Sequence, residues 1–375
     1  MEVEQFRWNR ADGWRITPAA AKADLVLIFG DRKLLADAAI VQAARRAMPH
    51  ARFVGCSTAG EILGTQVGEG SVVATAVRFR TTRVHTVEGR LEPNDDGRAL
   101  AARLARQLRP EGLAHVMVLS DGQRVNGSEL ARALRENLPA NVAVTGGLAG
   151  DGTDFKSTLV FGEGDPAEGH VVLAGFYGDD VHVGYGSLGG WDAFGPQRVV
   201  TRARGNTLYE LDGQPALALY KRYLGPHADS LPSAGLLFPL SIQTAGANHE
   251  LVRTILSVDE AEQSLTFAGD MPEGARARLM KANFDRLIEG AHGAALTTKQ
   301  AGSAAPSLAL LISCVGRRLV LRQRTEQELD AVREVLGPGA AMTGFYSYGE
   351  ICPTAPNANC ELHNQTMTVT TIAEA

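Results

Sequence analysis

An internal repeat constrains the fold of this 375-residue chain more than any other feature of its sequence. Residues 25–31 (LVLIFGD) and 116–121 (VMVLSD) are apolar runs that end in an acidic residue, which is typical of a buried strand leading into a loop. A shift of 90 residues aligns the two segments without a gap, so that Asp31 meets Asp121 and Gly60 meets Gly150. Eight of the 37 positions in residues 25–61 are then identical, which predicts a structural repeat.

A looser third copy lies near the C-terminus. Residues 308–315 (LALLISCV) predict another buried strand. Further on, residues 344–351 read GFYSYGEI, and residues 55–62 read GCSTAGEI. Both segments share the frame of a glycine, four residues and then Gly-Glu-Ile, which predicts the same turn in the first and third copies.

Each copy also predicts a helix between its two strands. The first helix is expected at residues 34–48, and the second is expected to begin at a cap formed by Ser128 or Asn126. In the third copy, a helix is expected at residues 325–336. Thr325 and Glu328 have the spacing of a capping box there, and Gly337-Pro338-Gly339 is expected to end the helix.

Alternating apolar runs follow the turns and predict antiparallel strands at residues 72–79, 83–87, 157–161, 170–177 and 362–372. This order of elements predicts an α/β (mixed α+β) fold with mixed sheets, helices packed on them, and two lobes. The first lobe is expected to end near residue 200. The second is expected to begin near Asn206, with residues 207–211 opening a helix-rich segment. The small, polar residues 293–307 predict a loop.

The composition excludes several classes of function. A formal net charge of −5 gives no basic field that would attract nucleic acid or anionic lipid. The four cysteines show no CxxC pair, which favours reduced thiols and a cytoplasmic location. Neither a signal-peptide pattern nor an apolar run of 18 residues is present, so the chain is expected to be soluble and not to insert into a membrane.

The combination of four segments resembles the FIST family: GCSTAGEI at 55–62, GNTLYELDGQPAL at 205–217, GFYSYGEI at 344–351 and HNQTMTV at 363–369. The resemblance implies a FIST N-terminal domain at residues 20–205 and a FIST C domain at residues 206–375. It also implies a sensory module for small ligands, amino acids among the candidates. Some stand-alone family members bind haem, sense nitric oxide and regulate a histidine kinase or a cyclic-di-GMP enzyme.

The glycine turns are the first candidate ligand site, because glycine permits close approach and polar sites gather at strand ends. The candidates here are Gly60, Glu61, Gly349 and Glu350. The alternative is that these residues only form tight turns and cap nearby backbone N–H groups. Tyr346 and Tyr348 would point to opposite faces of an extended segment, so that one could stack on a ligand while the other enters the core.

His363 and Asn364 open a polar segment close to the Gly349 turn and are expected at the same site. Because neutral imidazole is a common haem ligand, His363 is the residue expected to bind haem iron if haem is present. The alternative is a histidine that holds two turns together by hydrogen bonds. Trp191 follows two glycines, where its indole could cover a ligand or anchor the loop.

An enzymatic alternative would use Cys56 as a nucleophile on a strand-to-turn elbow. A nucleophile needs a base within reach, and no Gly-x-Ser-x-Gly motif accompanies Cys56. The sequence therefore favours a non-enzymatic sensor that binds a small ligand and signals to a separate protein. A haem-based nitric-oxide sensor is the second hypothesis.

Overall fold

The computed structural model describes residues 1–92, 97–231, 233–247, 249–299, 305–355 and 358–375. The N-terminal part of the chain forms the first of three related units. Its elements are β1 (Glu2–Trp8), β2 (Leu25–Gly30), α1 (Arg32–Leu35), α2 (Ala38–Ala47), β3 (Arg52–Ser57), β4 (Glu61–Leu63), β5 (Gln66–Gly68), β6 (Val72–Arg78), β7 (Arg83–Arg90) and α3 (Gly97–Ala105). β2 pairs in parallel with β3 and antiparallel with β6, and all of its residues are buried.

The single helix predicted at residues 34–48 is instead two helices. Asp31 caps α1 and Asp37 caps α2 through side-chain oxygens that accept backbone N–H groups. Asp37 favours this break because its short side chain competes for the backbone hydrogen bonds that would continue the helix. α2 buries Ile40, Val41 and Ala44 against the sheet.

The second unit repeats the same order. Its elements are β8 (Leu113–Ser120), α4 (Gly127–Asn137), β9 (Ala143–Leu148), β10 (Val160–Phe161), β11 (His170–Tyr177) and β12 (Val181–Leu188). β8 pairs in parallel with β9 and antiparallel with β11. Asn126 is the cap of α4, as one of the two predicted alternatives had it.

Residues 192–281 form a separate antiparallel sheet, which we call the insert sheet. Its elements are β13 (Asp192–Arg204), β14 (Thr207–Leu211), β15 (Gln214–Pro215), α5 (Ala216–Leu224), β16 (Leu240–Gln243), β17 (Leu251–Arg253), β18 (Ile255–Asp259), β19 (Ser264–Phe267) and β20 (Arg276–Lys281). The prediction of a helix-rich start at residues 207–211 is wrong, because this segment is a strand between β13 and β19. The insert sheet has its own core, which includes Leu208, Tyr220 and Phe267.

The third unit completes the chain. Its elements, with the helix that precedes them, are α6 (Phe284–Thr298), β21 (Leu308–Cys314), α7 (Val315–Leu321), α8 (Thr325–Leu336), β22 (Ala341–Ser347), β23 (Gly349–Pro353), β24 (Cys360–His363) and β25 (Met367–Glu374). α6 contradicts the loop predicted over residues 293–298, and residues 300–304 of that prediction lie outside the described residues.

The prediction for α8 is right in its bounds and wrong in its cap. Thr325 is the first helical residue rather than the cap, and its hydroxyl donates to the Arg322 carbonyl. Glu328 turns instead to the buried side chain of Arg317, with Arg317 Nη2 2.8 Å from Glu328 Oε2. The helix ends at Gly337 as predicted, with φ at +79°.

The three units exchange strands in a ring. β4 of the first unit pairs with β22 of the third, and β23 of the third unit pairs with β9 of the second. β10 of the second unit pairs with β3 of the first. Each sheet therefore contains a strand from another unit, and the predicted turns are the crossover points between units.

One glycine in each unit is required by this packing. An added Cβ would lie 1.8 Å from the Val118 carbonyl oxygen at Gly146 and 1.8 Å from the Leu311 carbonyl oxygen at Gly344, and φ is +155° and +154°. Gly55 occupies the same register position in the first unit. The structural partner of Gly55 is thus Gly146, one residue beyond the position that the 90-residue shift gives. Among the described residues, no helix is both long and apolar enough to cross a bilayer.

Candidate functional site

A cavity of about 810 Å³ lies where the second unit, the third unit and the insert sheet meet. On the core side it is lined by the loop after β8, by the end of β21 with α7, and by the turn after β22. Residues 254–256 and 267–269 of the insert sheet, with Asn206 and Leu236, form the opposite wall. Because β8 and β21 each run beside a parallel partner, their carboxyl ends are where α/β sheets bind ligands. The volume is also in the range of small-molecule sites.

Asp121 holds the loop after β8. Its Oδ1 atom accepts the N–H groups of Gln123 and Arg124 at 2.7 and 2.8 Å, and its Oδ2 atom accepts that of Gly169 at 2.6 Å. Asp31, the residue after β2, accepts the N–H groups of Lys33 and Leu34 in a similar way. The repeated aspartate thus shapes a loop, and the loop of the second unit presents its backbone to the cavity.

Tyr348 and Phe155 form an aromatic pair on the core side of the cavity. Their ring centroids are 4.6 Å apart with planes at 16°, so the rings are stacked. The Tyr348 hydroxyl donates to Asp151 Oδ1, and burial raises the pKa of Tyr348. Phe155 is 39% exposed and has φ of +51°, a conformation that is unfavourable for an aromatic residue. An exposed, strained aromatic side chain beside a cavity is a candidate ligand contact.

The wall formed by the insert sheet is mostly apolar, and its polar side chains are those of Asn206 and Thr254. Ile255, Leu256 and Phe267 line it, and Leu256 is 46% exposed. Thr254 also lines the cavity and is only 5% exposed. Within the described part of the chain, the Thr254 hydroxyl has no hydrogen-bond partner. A buried hydroxyl without a partner is unfavourable, and a ligand or water molecule would satisfy it.

Contacts beside the cavity connect the insert sheet to the core. Asn126 Nδ2 donates to Asp270 Oδ1 at 3.1 Å, and the Asp270 N–H donates to Ser128 Oγ at 3.2 Å. The buried guanidinium of Arg253 donates to the Leu362 carbonyl at 3.0 Å. Burial lowers the pKa of Arg253 to about 10, so the group remains charged at neutral pH. Both walls of the cavity are therefore coupled by direct hydrogen bonds.

Comparison with family models decides the family. Residues 24–214 match the FIST N domain and residues 216–353 match the FIST C domain. The chain belongs to the FIST family. FIST domains are sensory modules that bind small ligands. The resemblance inferred from the four sequence segments is thus confirmed.

Two other comparisons add little about function. A search of curated proteins gave no match to this FIST protein. Among solved structures, it is similar to cyanuric acid hydrolase from A. caulinodans at 9% identity and a TM-score of 0.37, over 100% of this chain and 98% of that one. A second cyanuric acid hydrolase structure gives 10% identity and a TM-score of 0.34, over 100% and 99%. Likeness at this level carries no inference about activity.

Of the predicted site residues, Tyr348 lines the cavity. Glu61 and Glu350 do not; their carboxylates accept hydrogen bonds within the core. Glu61 accepts from Thr58 Oγ1 and Ser71 Oγ, each at 2.6 Å. Glu350 Oε1 accepts from Ser347 Oγ at 2.6 Å. Both carboxyl groups thus hold their turns. These three contacts are to hydroxyl groups, and Glu350 also accepts a backbone N–H group, the kind of contact that the alternative interpretation named.

The two glycines and the other two aromatic residues also have structural surroundings. Gly60 has φ of +132° and lies against the Arg318 guanidinium, and Gly349 begins β23 beside Leu148. Tyr346 is fully buried and its hydroxyl donates to Glu328 Oε1 at 2.7 Å. Trp191 is 6% exposed and donates from Nε1 to the Gln365 carbonyl at 2.9 Å, which makes it a loop anchor.

His363 does not fit the role of a haem ligand in this structure. It is 7% exposed, its Nε2 atom lies 2.9 Å from the Cys352 carbonyl oxygen, and it does not line the cavity. Burial lowers the pKa of His363 to about 4, so the ring is neutral and Nε2 is the hydrogen-bond donor. Iron could coordinate Nδ1 without breaking that bond, but haem would reach the ring only if the packed surroundings opened.

Asn364 and Gln365 have surroundings that the sequence did not reveal. Both are fully buried, and among the described residues neither carboxamide has a hydrogen-bond partner. Gln365 has φ of +62°, and its carboxamide lies against Gly316, which lines the cavity. The ligand site predicted from the sequence includes Asn364 but not Gln365. The only sequence signal for Gln365 is its place in the HNQT segment.

The catalytic hypothesis loses its main support. Cys56 is completely buried, and burial raises the pKa of its thiol well above the ordinary value. A nucleophilic cysteine needs an exposed thiolate. In the described part of the chain, no group of three or more potential ligand residues could hold a metal ion.

Proposed function

We propose that this FIST protein is a cytoplasmic sensor that holds a small ligand in the 810 Å³ cavity and signals through movement of the insert sheet. The observation that supports this most directly is that the cavity has one wall from the core and one from the insert sheet. A ligand that contacts both walls binds most tightly when they are correctly spaced. It therefore shifts the equilibrium between arrangements of the two parts.

A neighbouring groove of about 1020 Å³ shares Thr153, Leu236, Val315 and Leu319 with the cavity, so α7 has open space on two sides. The charges in this groove are partly paired, since Arg318 contacts Glu69. The smaller cavity is the better ligand site because it contains the strand ends, the stacked aromatic pair and the unpartnered Thr254 hydroxyl.

The signal is proposed to pass to a separate signalling protein, such as a histidine kinase or a cyclic-di-GMP enzyme, as the family resemblance implies. Haem is not part of the proposal, because His363 is buried and does not line the cavity.

A cavity-filling variant tests the proposal. Ala268 lines the cavity on the insert side, and Ala261 is an exposed residue of the same sheet. Small molecules that co-purify with the protein are identified by untargeted mass spectrometry for wild type, Ala268→Trp and the control Ala261→Trp. We expect a compound that is retained by wild type and Ala261→Trp and lost from a folded Ala268→Trp. Retention of that compound by Ala268→Trp would place the ligand elsewhere.

A further inference from the structure

The charge of the side chains that line the cavity restricts the choice of ligand more than the volume of the cavity does. Among the described residues that line the cavity, Arg124 is the single charged side chain, and no carboxylate is present. We infer that the cavity selects a planar, largely apolar ligand with one negative charge, an aromatic carboxylate in chemical class, and discriminates against zwitterionic amino acids. This inference rests on the proposed function.

The first step concerns positive charge on a ligand. An ammonium group loses hydration when it enters a largely apolar cavity, and it is accommodated only where a carboxylate replaces the water. The nearby aspartates are committed elsewhere. Asp121 accepts three backbone N–H groups, and Asp151 accepts the Tyr348 hydroxyl and the N–H groups of Lys156 and Ser157. Asp270, which does not line the cavity, accepts from Asn126 Nδ2 and from Arg132 Nη2. Among the described residues that line the cavity, a free α-amino group therefore finds no carboxylate partner.

The second step concerns negative charge. Arg124 reaches the cavity from the loop before α4, with its side chain 55% exposed and Nη1 3.9 Å from Glu168. Asn126 and Gly127, the cap and first residue of the 11-residue helix α4, also line the cavity, so the positive end of that helix faces it. Thr254 provides an independent polar group, a buried hydroxyl with no partner in the described structure. Together these groups favour an anion.

The third step concerns shape. The stack of Phe155 on Tyr348 presents a flat surface on one side of the cavity. Leu256, Ile255 and Phe267 provide apolar surface from the insert sheet. A planar ring can stack on the exposed face of Phe155 while its carboxylate lies toward Arg124, and such stacking contributes beyond simple burial. Closure of the insert sheet over the ring would then link binding to the proposed movement.

Isothermal titration calorimetry with four benzene derivatives tests this inference: benzoate, benzamide, benzylamine and phenylalanine. They differ in charge while they keep the same ring. We expect benzoate to bind about tenfold or more tightly than phenylalanine and benzylamine, with benzamide between them. Arg124→Gln should remove most of the preference for benzoate over benzamide. The control Arg46→Gln, an exposed arginine of α2, should leave it unchanged.

Phe155→Leu adds a test of shape, and it should weaken benzoate and benzamide alike by about fivefold. Phenylalanine binding as tightly as benzoate, or no binding of benzoate, would overturn the inference. The proposed function fails separately. If Ala268→Trp loses a co-purified compound of another class, the sensor proposal stands and the inference is wrong. If a folded Ala268→Trp retains the co-purified compound, the proposed cavity is wrong, and the inference that rests on it is wrong as well.

Discussion

Glu350 is expected to make the stability of this protein fall as pH rises, and Glu350→Gln should remove that dependence. The carboxyl group is fully buried, and this burial raises its pKa from 4.5 to about 8. Its Oε2 atom accepts from the Thr366 N–H and hydroxyl at 3.2 and 2.9 Å. Ser347 Oγ lies 2.6 Å from Oε1 and 3.3 Å from the Ser313 carbonyl oxygen. A protonated Glu350 can thus donate to Ser347, which donates onward to Ser313.

The magnitude follows from linkage. The folded protein holds this proton more tightly than the unfolded chain, so the contribution is fully present below pH 4.5 and is lost as pH rises to about 8. At about 1.4 kcal/mol per pH unit, the loss across this window is roughly 5 kcal/mol. Glutamine has the shape and donor pattern of the protonated acid, with an N–H group toward Ser347 and an oxygen toward Thr366. It cannot ionise.

Urea denaturation followed by tryptophan fluorescence at pH 5 to 9 measures the effect. The free energy of unfolding of Glu350→Gln minus that of wild type should increase with pH up to about 8 and then level off. Glu289→Gln, at an exposed position of α6, is the control and should show a constant difference. A difference for Glu350→Gln that is constant, or that decreases with pH, would show that the folded protein holds Glu350 as a carboxylate.

Other predictions concern the core and the haem hypothesis. Arg317→Met should lower the free energy of unfolding by about 3–5 kcal/mol, because it leaves the buried Glu328 carboxylate without its partner, and the double variant with Glu328→Leu should recover part of this loss. Gly344→Ala should lower the free energy of unfolding, measured by urea denaturation, by at least about 2 kcal/mol, because the added Cβ meets the Leu311 carbonyl oxygen. Gly64 has φ of +63° and open space around it, so Gly64→Ala should lower the same free energy by about 1 kcal/mol. Haemin added to wild type and to His363→Ala should give the same absorption spectrum; a Soret band that depends on His363 would revive the iron site.

The sequence predicts local elements of this fold well because their causes are local. β2, β8 and β21 are apolar runs, α8 ends at a glycine with positive φ, and the Gly-Glu-Ile frame identifies two equivalent turns. The break between α1 and α2 was missed although its signal, Asp37, is also local. The one-residue offset at Gly146 was missed because the loop before β9 differs in length, which a gapless comparison cannot detect.

The candidate site was less predictable because it depends on contacts between distant parts of the chain. Tyr348 was predicted from its turn, but Phe155 and Thr254 carry no motif. Their importance arises from the stack across units and from burial by the insert sheet. Glu61 and Glu350 were plausible ligand contacts on residue type alone. Only the structure shows that neighbouring hydroxyl groups already satisfy them.

The insert sheet explains why a nearly threefold architecture has one distinctive cavity. Each unit exchanges a strand with another, so the fold contains three related seams. The insert sheet enters the chain between the second and third units, and it covers the strand ends of β8 and β21, which belong to those two units. The strand end of β2 in the first unit does not line this cavity. The three repeated units therefore form a ring with three similar seams. The insert sheet makes one of these seams different, because it adds a wall that is hydrogen-bonded to α4 through Asp270. A ligand at that seam contacts both the repeated core and the part that is not repeated, which is the arrangement a sensor needs for binding to change the position of one relative to the other.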